Sequence, residues 1–431
     1  MAGGTSFVDS RDTGRLFWLQ DPWQTRTRIP TDIIRNAMKR LHTCSALLAA
    51  GLLLGACNDT SFDPQDPATV SVSGSVPTSR AVGQTVTPTV VVRDAAGRVV
   101  AGAVVTFQVT AGGGSVSSST VTTNNSGTAS VTWTLGPEPG VNTLVATVPG
   151  LDPVTFTVTT CGVFCIDIRY VGTVSAAQEA AFTNARLRWE QVITGDLPNV
   201  QMNIPAGACK DADGEALVDH PAVNEVVDDL LVYVQVDSID GPGKVLGSAG
   251  PCYIRNTSRL PVFGIMRFDR ADLTLMAQNG ILGDVILHEL GHVLGFPTIW
   301  SDPQFNLLQD TATADPYYSG AKGLSAFQLA GGTPVNGVGV PVENTGGEGT
   351  RLSHWREAVM ATELMTGFIS AGNNPLSAIT IGSLEDIGYT VDYTAADPFT
   401  VPTPQQAGWM AASTWRFEIT ERPMAPPRIL P

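Results

Sequence analysis

A chain of 431 residues with 43% hydrophobic content is long enough for two or three domains with real cores, and it is not a disordered chain. Its formal charge is −15; residues 1–57 carry seven Lys or Arg against four Asp or Glu, so the remainder carries −18, which argues against a nucleic-acid partner. Only four lysines occur while Gly, Thr, Val and Ala abound, a composition suited to an extracellular protein.

Residues 1–37 are polar, irregular and fit no export logic; we read them as a spurious extension from a start codon set too far upstream. From Met38 the sequence runs M-K-R, then the apolar stretch Ser45 to Leu54, then L-G-A-C ending at Cys57. That is the charged start, short apolar run and small-residue cleavage site of a secretory signal, over 38–57. The stretch is shorter than the roughly 20 residues a membrane-spanning helix needs; a buried helix is the bland alternative. The Leu54–Cys57 box resembles the lipobox of bacterial lipoproteins. The resemblance implies an exported protein of the cell envelope, held at the membrane through an acylated Cys57. Asn58 to Pro67, with two prolines and three aspartates, reads as a linker.

Residues 68–160 differ in character. Val70, Val72, Val90, Val92, Val104, Phe107 and Val109 fall in short β-branched runs separated by D-A-A-G, A-G-G-G and N-N-S-G turns, which predicts an all-β sandwich. The runs Asp94 to Phe107 and Gly140 to Ala146 resemble bacterial Ig-like domains of the invasin and intimin type. Those motifs are turn glycines and core apolars, so they bear on fold rather than function. A spacer between membrane and the following domain is the plain reading, adhesion the sharper one.

A second domain is expected over 161–398. Setting aside Cys44 in the signal and Cys57 leaves four cysteines, an even number that suits an oxidising compartment. Cys209 is expected to pair with Cys252, since both flank one predicted sheet region, and Cys161 with Cys165. In the competing reading, Cys161 or Cys165 ligates a metal in a latent form. Ile166, Ile168 and Tyr170 alternate as a strand. Ser175 with Gln178 makes a capping box for a helix whose Phe182, Ala185, Trp189 and Val192 face inward, with Gly195 as its stop. Leu230 to Val236 and Val262 to Phe268 read as buried strands.

The run H-E-L-G-H places His288 and His292 four apart inside the apolar stretch Ile281 to Phe296, with Glu289 beside the first. On a helix, positions i and i+4 lie one above the other, so both imidazoles can share one metal while Glu289 points at a water on it. Catalytic zinc takes three protein ligands and keeps a fourth place for water. A composition this poor in histidine yields H-E-x-x-H by chance in only about one of several hundred such chains. Val285, Ile286, Leu290, Val293 and Leu294 supply the apolar faces, and Gly295 followed by Pro297 the stop. Of five histidines, His42 lies in the segment expected to be removed, which leaves His220 and His354 as candidate third ligands.

The pattern His288 to Gly295 resembles the metzincin metalloproteases, in which the glycine turns the chain beneath the metal. The commonest version has His or Asp three residues after that glycine; here the position is Thr298, a poor ligand. Ser353 to Gly367, S-H-W-R-E-A-V-M-A-T-E-L-M-T-G, resembles the leishmanolysin family of metzincins, in which a long insertion precedes the third ligand. The resemblance implies His354 as that ligand, Met365 as the Met-turn residue under one catalytic Zn2+, and Ser377 to Tyr389 as the closing helix. It also implies an α+β domain of twisted sheet, active-site helix and Met-turn, with substrate held extended along a strand bordering the cleft; Val262 to Phe268 sits just upstream of the helix as such a strand does, and which strand forms the edge is left open by the sequence. Glu289 is then the base that takes the proton of the attacking water. The insertion from Phe296 to Ser353, Gly-rich and aperiodic, is expected as a loop-rich lobe, and 399–431 as a Pro-rich tail.

Together these readings describe a multidomain zinc endopeptidase cutting extracellular proteins or peptides. Two others compete: a surface adhesion or binding protein with an inactive protease fold, against which the intact Glu289 argues, and a purely structural zinc site, which would be closed by four protein ligands, usually rich in Cys.

Overall fold

The computed structural model describes residues 66–347, 349–413 and 416–430. The export signal, His42, Cys44, Cys57 and all but the last two residues of the 58–67 linker lie outside the described residues.

The first part of the described chain is all-β. In the strand Val104–Ala111, Val105 and Phe107 are buried while Val104 and Thr106 are exposed; a two-residue period sends alternate side chains to the core and to water. A five-stranded sheet, in the order Ser79–Ala81, Val154–Cys161, Gly140–Thr147, Val104–Ala111 and Thr120–Thr122, shares one core with a three-stranded sheet of Thr69–Val72, Thr89–Arg93 and Thr128–Ser130. The D-A-A-G and N-N-S-G turns close on their own side chains. Asp94 Oδ1 accepts from the Ala96 and Arg98 amides at 2.9 Å, and Asn124 Oδ1 from those of Ser126 at 2.9 Å and Thr128 at 3.1 Å. The last strand runs to Cys161, which is bonded to Cys165. Neither thiol is therefore free to ligate a metal.

Beyond it lies a five-stranded sheet in the order Ile166–Val171, Leu230–Asp237, Pro261–Asp269, Gly247–Ile254 and Arg428–Ile429. The first three strands are parallel, the fourth antiparallel to the third, and the last parallel to the fourth. Leu230–Asp237 is apolar at nearly every position because both faces are covered. Leu230, Val232, Val234 and Val236 join the main core, whereas Leu231 and Tyr233 join a second cluster with Met202, Ile204 and Leu217. The Cys209–Cys252 disulfide pins the segment covering that second face to the strand Gly247–Ile254.

The first helix, Ala176–Val192, carries the expected capping box: the Gln178 amide donates to Ser175 Oγ at 3.3 Å and the Ser175 amide to Gln178 Oε1 at 2.8 Å. It ends at Val192, not at Gly195, because Ile193 turns extended and pairs with Val391. Gly195 serves a close approach instead; a Cβ there would come within 2.6 Å of Thr390. Two further expectations need correction. The strand Pro261–Asp269 lies inside the sheet, between Leu230–Asp237 and Gly247–Ile254, and it is Ala249 and Gly250 of the latter strand that line the cavity beside His292. The insertion after Phe296 is not only loop: it contains three short strands and the helix Ala321–Leu329, which packs on the closing helix Ala378–Asp386. The tail is also structured, with a helix at Pro404–Ser413 and a return to the sheet at Arg428–Ile429.

Candidate metal centre

The helix Leu282–Val293 buries nearly its whole surface, including His288, Glu289, Gly291 and His292. The first helix lies beside it, and Trp189 Nε1 donates to the Leu287 carbonyl at 2.9 Å. Gly291, between the two histidines, leaves room for Met365: a Cβ there would lie 2.9 Å from Met365 Sδ and 3.2 Å from the Trp189 ring, so a larger residue would displace the tip of the methionine. At Gly295 the backbone takes φ 107, a region that disfavours side chains, and the chain turns there.

The three imidazoles converge. His292 Nε2 is 2.9 Å from His288 Nε2, which is 3.1 Å from His354 Nε2. Each ring is held from behind by a backbone carbonyl: Nδ1 of His288 donates to Leu364 O at 2.6 Å, that of His292 to Phe296 O at 2.6 Å, and that of His354 to Thr350 O at 3.2 Å. With the protons on Nδ1, all three Nε2 atoms present bare lone pairs to one another, an arrangement that calls for a cation between them. Protons are a poor substitute: burial foremost, then the neighbouring rings, holds His288 well below the ordinary histidine range, and burial and His292 push His354 down to about 4. A tetrahedral zinc ion with bonds of about 2.05 Å spaces its ligand nitrogens about 3.3 Å apart, so the observed set fits that ion with slight relaxation. His220, the other candidate, sits in the second cluster against Tyr233 and Phe263. Both its nitrogens are used by the backbone, Nε2 accepting from Ala208 N at 2.9 Å and Nδ1 donating to Pro221 O at 2.7 Å.

Met365 is fully buried, and its carbonyl accepts from Trp355 N at 2.9 Å, tying the turn at Met365 to the residue after His354. Thr298, by contrast, lines a cavity of about 250 Å³ together with His292.

Two acidic residues escaped sequence reasoning. Glu363, in the E-L-M-T-G run, is fully buried and accepts from Met365 N at 2.7 Å, Ser377 Oγ at 2.6 Å and Thr380 Oγ1 at 2.6 Å. It ties the turn at Met365 to the first turn of the helix Ala378–Asp386. Glu363→Ala strands these donors, and at about 1–3 kcal/mol for a buried unpaired polar group the expected outcome is a clear fall in melting temperature by calorimetry; an unchanged melting temperature would refute the role. Glu421, from the tail, brings Oε1 to 3.9 Å from His292 Nε2 and forms a cluster with Glu289 and His292. Burial, and then this second carboxylate, holds Glu289 well above the ordinary carboxyl range. Glu289 Oε1 has no hydrogen-bond partner among the described residues.

A buried triad of imidazoles with a carboxylate beside it is a set of groups that could hold a metal ion. A family model described as Leishmanolysin, peptidase family M8, matches residues 181–423, and the chain belongs to that family. A leishmanolysin-like peptidase of Drosophila melanogaster is 41% identical over 64 residues, which is 14% of this chain and 9% of that protein, so the chain spans under a tenth of this curated relative. Among solved structures, the D0-D1 domain of intimin is 22% identical over 22% of this chain and 49% of its own, with a TM-score of 0.20. A beta-glucuronidase from glycoside hydrolase family 2 is 20% identical over 23% of this chain and 12% of its own, also with a TM-score of 0.20.

Proposed function

We propose that the protein is a zinc endopeptidase in which His288, His292 and His354 hold the metal and Glu289 is the general base. The observation that carries this is the convergence of three Nε2 lone pairs beside a buried carboxylate oxygen without a partner. When bound, zinc supplies Lewis acidity, acidifying water and polarising the scissile carbonyl. The Glu289 carboxylate accepts the proton of the attacking water and returns it to the leaving amine nitrogen. The carbonyls of Leu364, Phe296 and Thr350 fix the tautomer and direction of each ring. Substrate adds as an extended strand along Gly247–Ile254, with main-chain hydrogen bonds giving affinity and the cavity beside His292 taking a side chain. Hydrolysis of casein by the zinc-loaded chain, lost on chelation and restored by zinc, tests the reading. If neither the chain nor its Glu421→Gln variant cuts any peptide while carrying one zinc per molecule, the endopeptidase assignment fails.

The same proposal places the enzyme at a bacterial cell envelope, with an Ig-like sandwich as spacer and an acyl anchor on Cys57, the residue that closes L-G-A-C. Radiolabelled palmitate is expected on the wild-type chain and not on Cys57→Ser; label retained by the variant would remove the anchor from the account.

A further inference from the structure

The strand Gly247–Ile254 is already partnered by the chain's own C-terminus. After the short strand Arg416–Glu418, paired with Phe368–Ser370, the backbone bridges Gly247 at Glu421 and brings that carboxylate to 3.9 Å from His292 Nε2. The Leu246 amide donates to Thr420 O at 2.9 Å, the Arg422 amide to Gly247 O at 2.8 Å and Ser248 Oγ to Arg422 O at 2.8 Å. Farther on, Arg428–Ile429 pairs with Tyr253–Ile254, and the Leu430 amide donates to Ile254 O at 3.0 Å. Both contacts run parallel to the strand. Gly349 makes room for the passage, since a Cβ there would lie 2.5 Å from Glu421 O. The Arg422 guanidinium is anchored 2.5 Å from the buried Asp211 carboxylate. What remains of the groove is a cavity of about 250 Å³ whose wall includes Glu421, Arg422, Pro423 and Met424.

We infer that the segment Ile419–Leu430 is an internal inhibitor, occupying the substrate groove and bringing the Glu421 carboxylate beside His292 and Glu289, from where a side-chain rotation makes it a fourth protein group to the metal held by the three histidines. The inference rests on the peptidase reading given above. Its geometry differs from that of a substrate in one decisive respect. A substrate offers a peptide carbonyl to the centre, whereas this segment offers a side-chain carboxylate, 3.9 Å from His292 Nε2 and clustered with Glu289. A carboxylate there ligates without offering a bond to cut, fills the corner that water needs, and lowers the charge available to polarise a carbonyl. The backbone of the segment meanwhile uses donors and acceptors of the strand that an extended peptide requires. The enzyme is latent while the segment is seated and competent when it is displaced.

The inhibitor role makes zinc binding and catalysis move in opposite directions on mutation, which a merely structural role does not. In the full-length chain, Glu421→Gln is expected to weaken zinc binding at least about tenfold, each tenfold step being about 1.4 kcal/mol. It should also change the visible absorption of the cobalt-substituted protein and raise kcat/KM for a short peptide library at least about tenfold, as the competent fraction grows. Arg422→Asp leaves the metal centre chemically intact but repels the segment from Asp211. It is expected to raise kcat/KM and to speed nicking of residues 416–430 by an added protease. Unchanged zinc affinity and an unaltered cobalt spectrum in Glu421→Gln, or lowered cleavage in both folded variants, would overturn the inference. If no variant cleaves peptide yet the zinc affinity and cobalt spectrum respond to Glu421, the ligand assignment stands and the peptidase reading is the part that fails.

Discussion

Glu289→Ala is expected to lower kcat for peptide hydrolysis by about 10²–10⁴-fold, the range that a positioned general base contributes, while the protein still binds one zinc. The two effects separate because Glu289 holds none of the imidazoles: all three are braced by the carbonyls of Leu364, Phe296 and Thr350. KM should change little, since the carboxylate acts on the water rather than on the bound peptide. Stability gives an independent reading. A carboxyl buried beside Glu421, with an unpartnered oxygen, is costly to the fold, so the melting temperature of the variant should equal or exceed that of the wild type. Zinc content by mass spectrometry, steady-state kinetics and calorimetry on one preparation decide the matter. Loss of zinc together with activity would make Glu289 a structural part of the metal centre and remove its assignment as base.

What could be read in advance follows from how tightly chemistry constrains sequence. Two imidazoles sharing one ion on a helix must lie one turn apart, so His288 and His292 were legible from spacing, as was the helix from its apolar residues. His354 is separated from them by a long insertion, and nothing in periodicity connects the two; it could be placed only through the order of motifs. Strands buried on both faces, such as Leu230–Asp237, announce themselves as apolar runs. The helix Ala321–Leu329 did not, because Gly323, Ala326 and Phe327 are its only buried residues and make too narrow a stripe. Gly195 reads as a helix stop because a glycine that permits a close approach looks, in sequence, like a glycine that ends a helix. Gly291 carried a signal that could have been used: a residue between two ligands on a buried helix must either pack or make room. Glu421 carried none. It stands in a Pro-rich segment that meets the sheet at a single bridge, Glu421 with Gly247, and then over two residues at Arg428–Ile429, too short for any alternation.

His354→Ala separates a true ligand from a histidine that is merely buried. Zinc binding of about 10–16 kcal/mol at a four-ligand site amounts to roughly 3 kcal/mol per ligand, so losing one imidazole should weaken affinity by about 10²-fold or more. At working zinc concentrations hydrolysis should then fall to background. The rise in melting temperature that zinc gives the wild type should shrink in step, because a ligand bound only by the folded state stabilises it through its affinity. His220→Ala is the informative companion. That ring is also buried, but its nitrogens are spent on Ala208 and Pro221 and it sits on the other side of the sheet, in the Met202–Leu217 cluster. Its removal should cost stability, on the order of 1–3 kcal/mol for the stranded backbone groups, and leave zinc stoichiometry and affinity at wild-type values. The two variants are therefore expected to fail in opposite ways: one folded and without tight zinc, the other zinc-competent and less stable. Titration of both with a chromogenic zinc competitor, followed by thermal melts with and without metal, reads the difference. Should His354→Ala bind zinc as tightly as the wild type, the three-histidine centre is wrong, because the ring that the long insertion delivers would then contribute nothing to the ion.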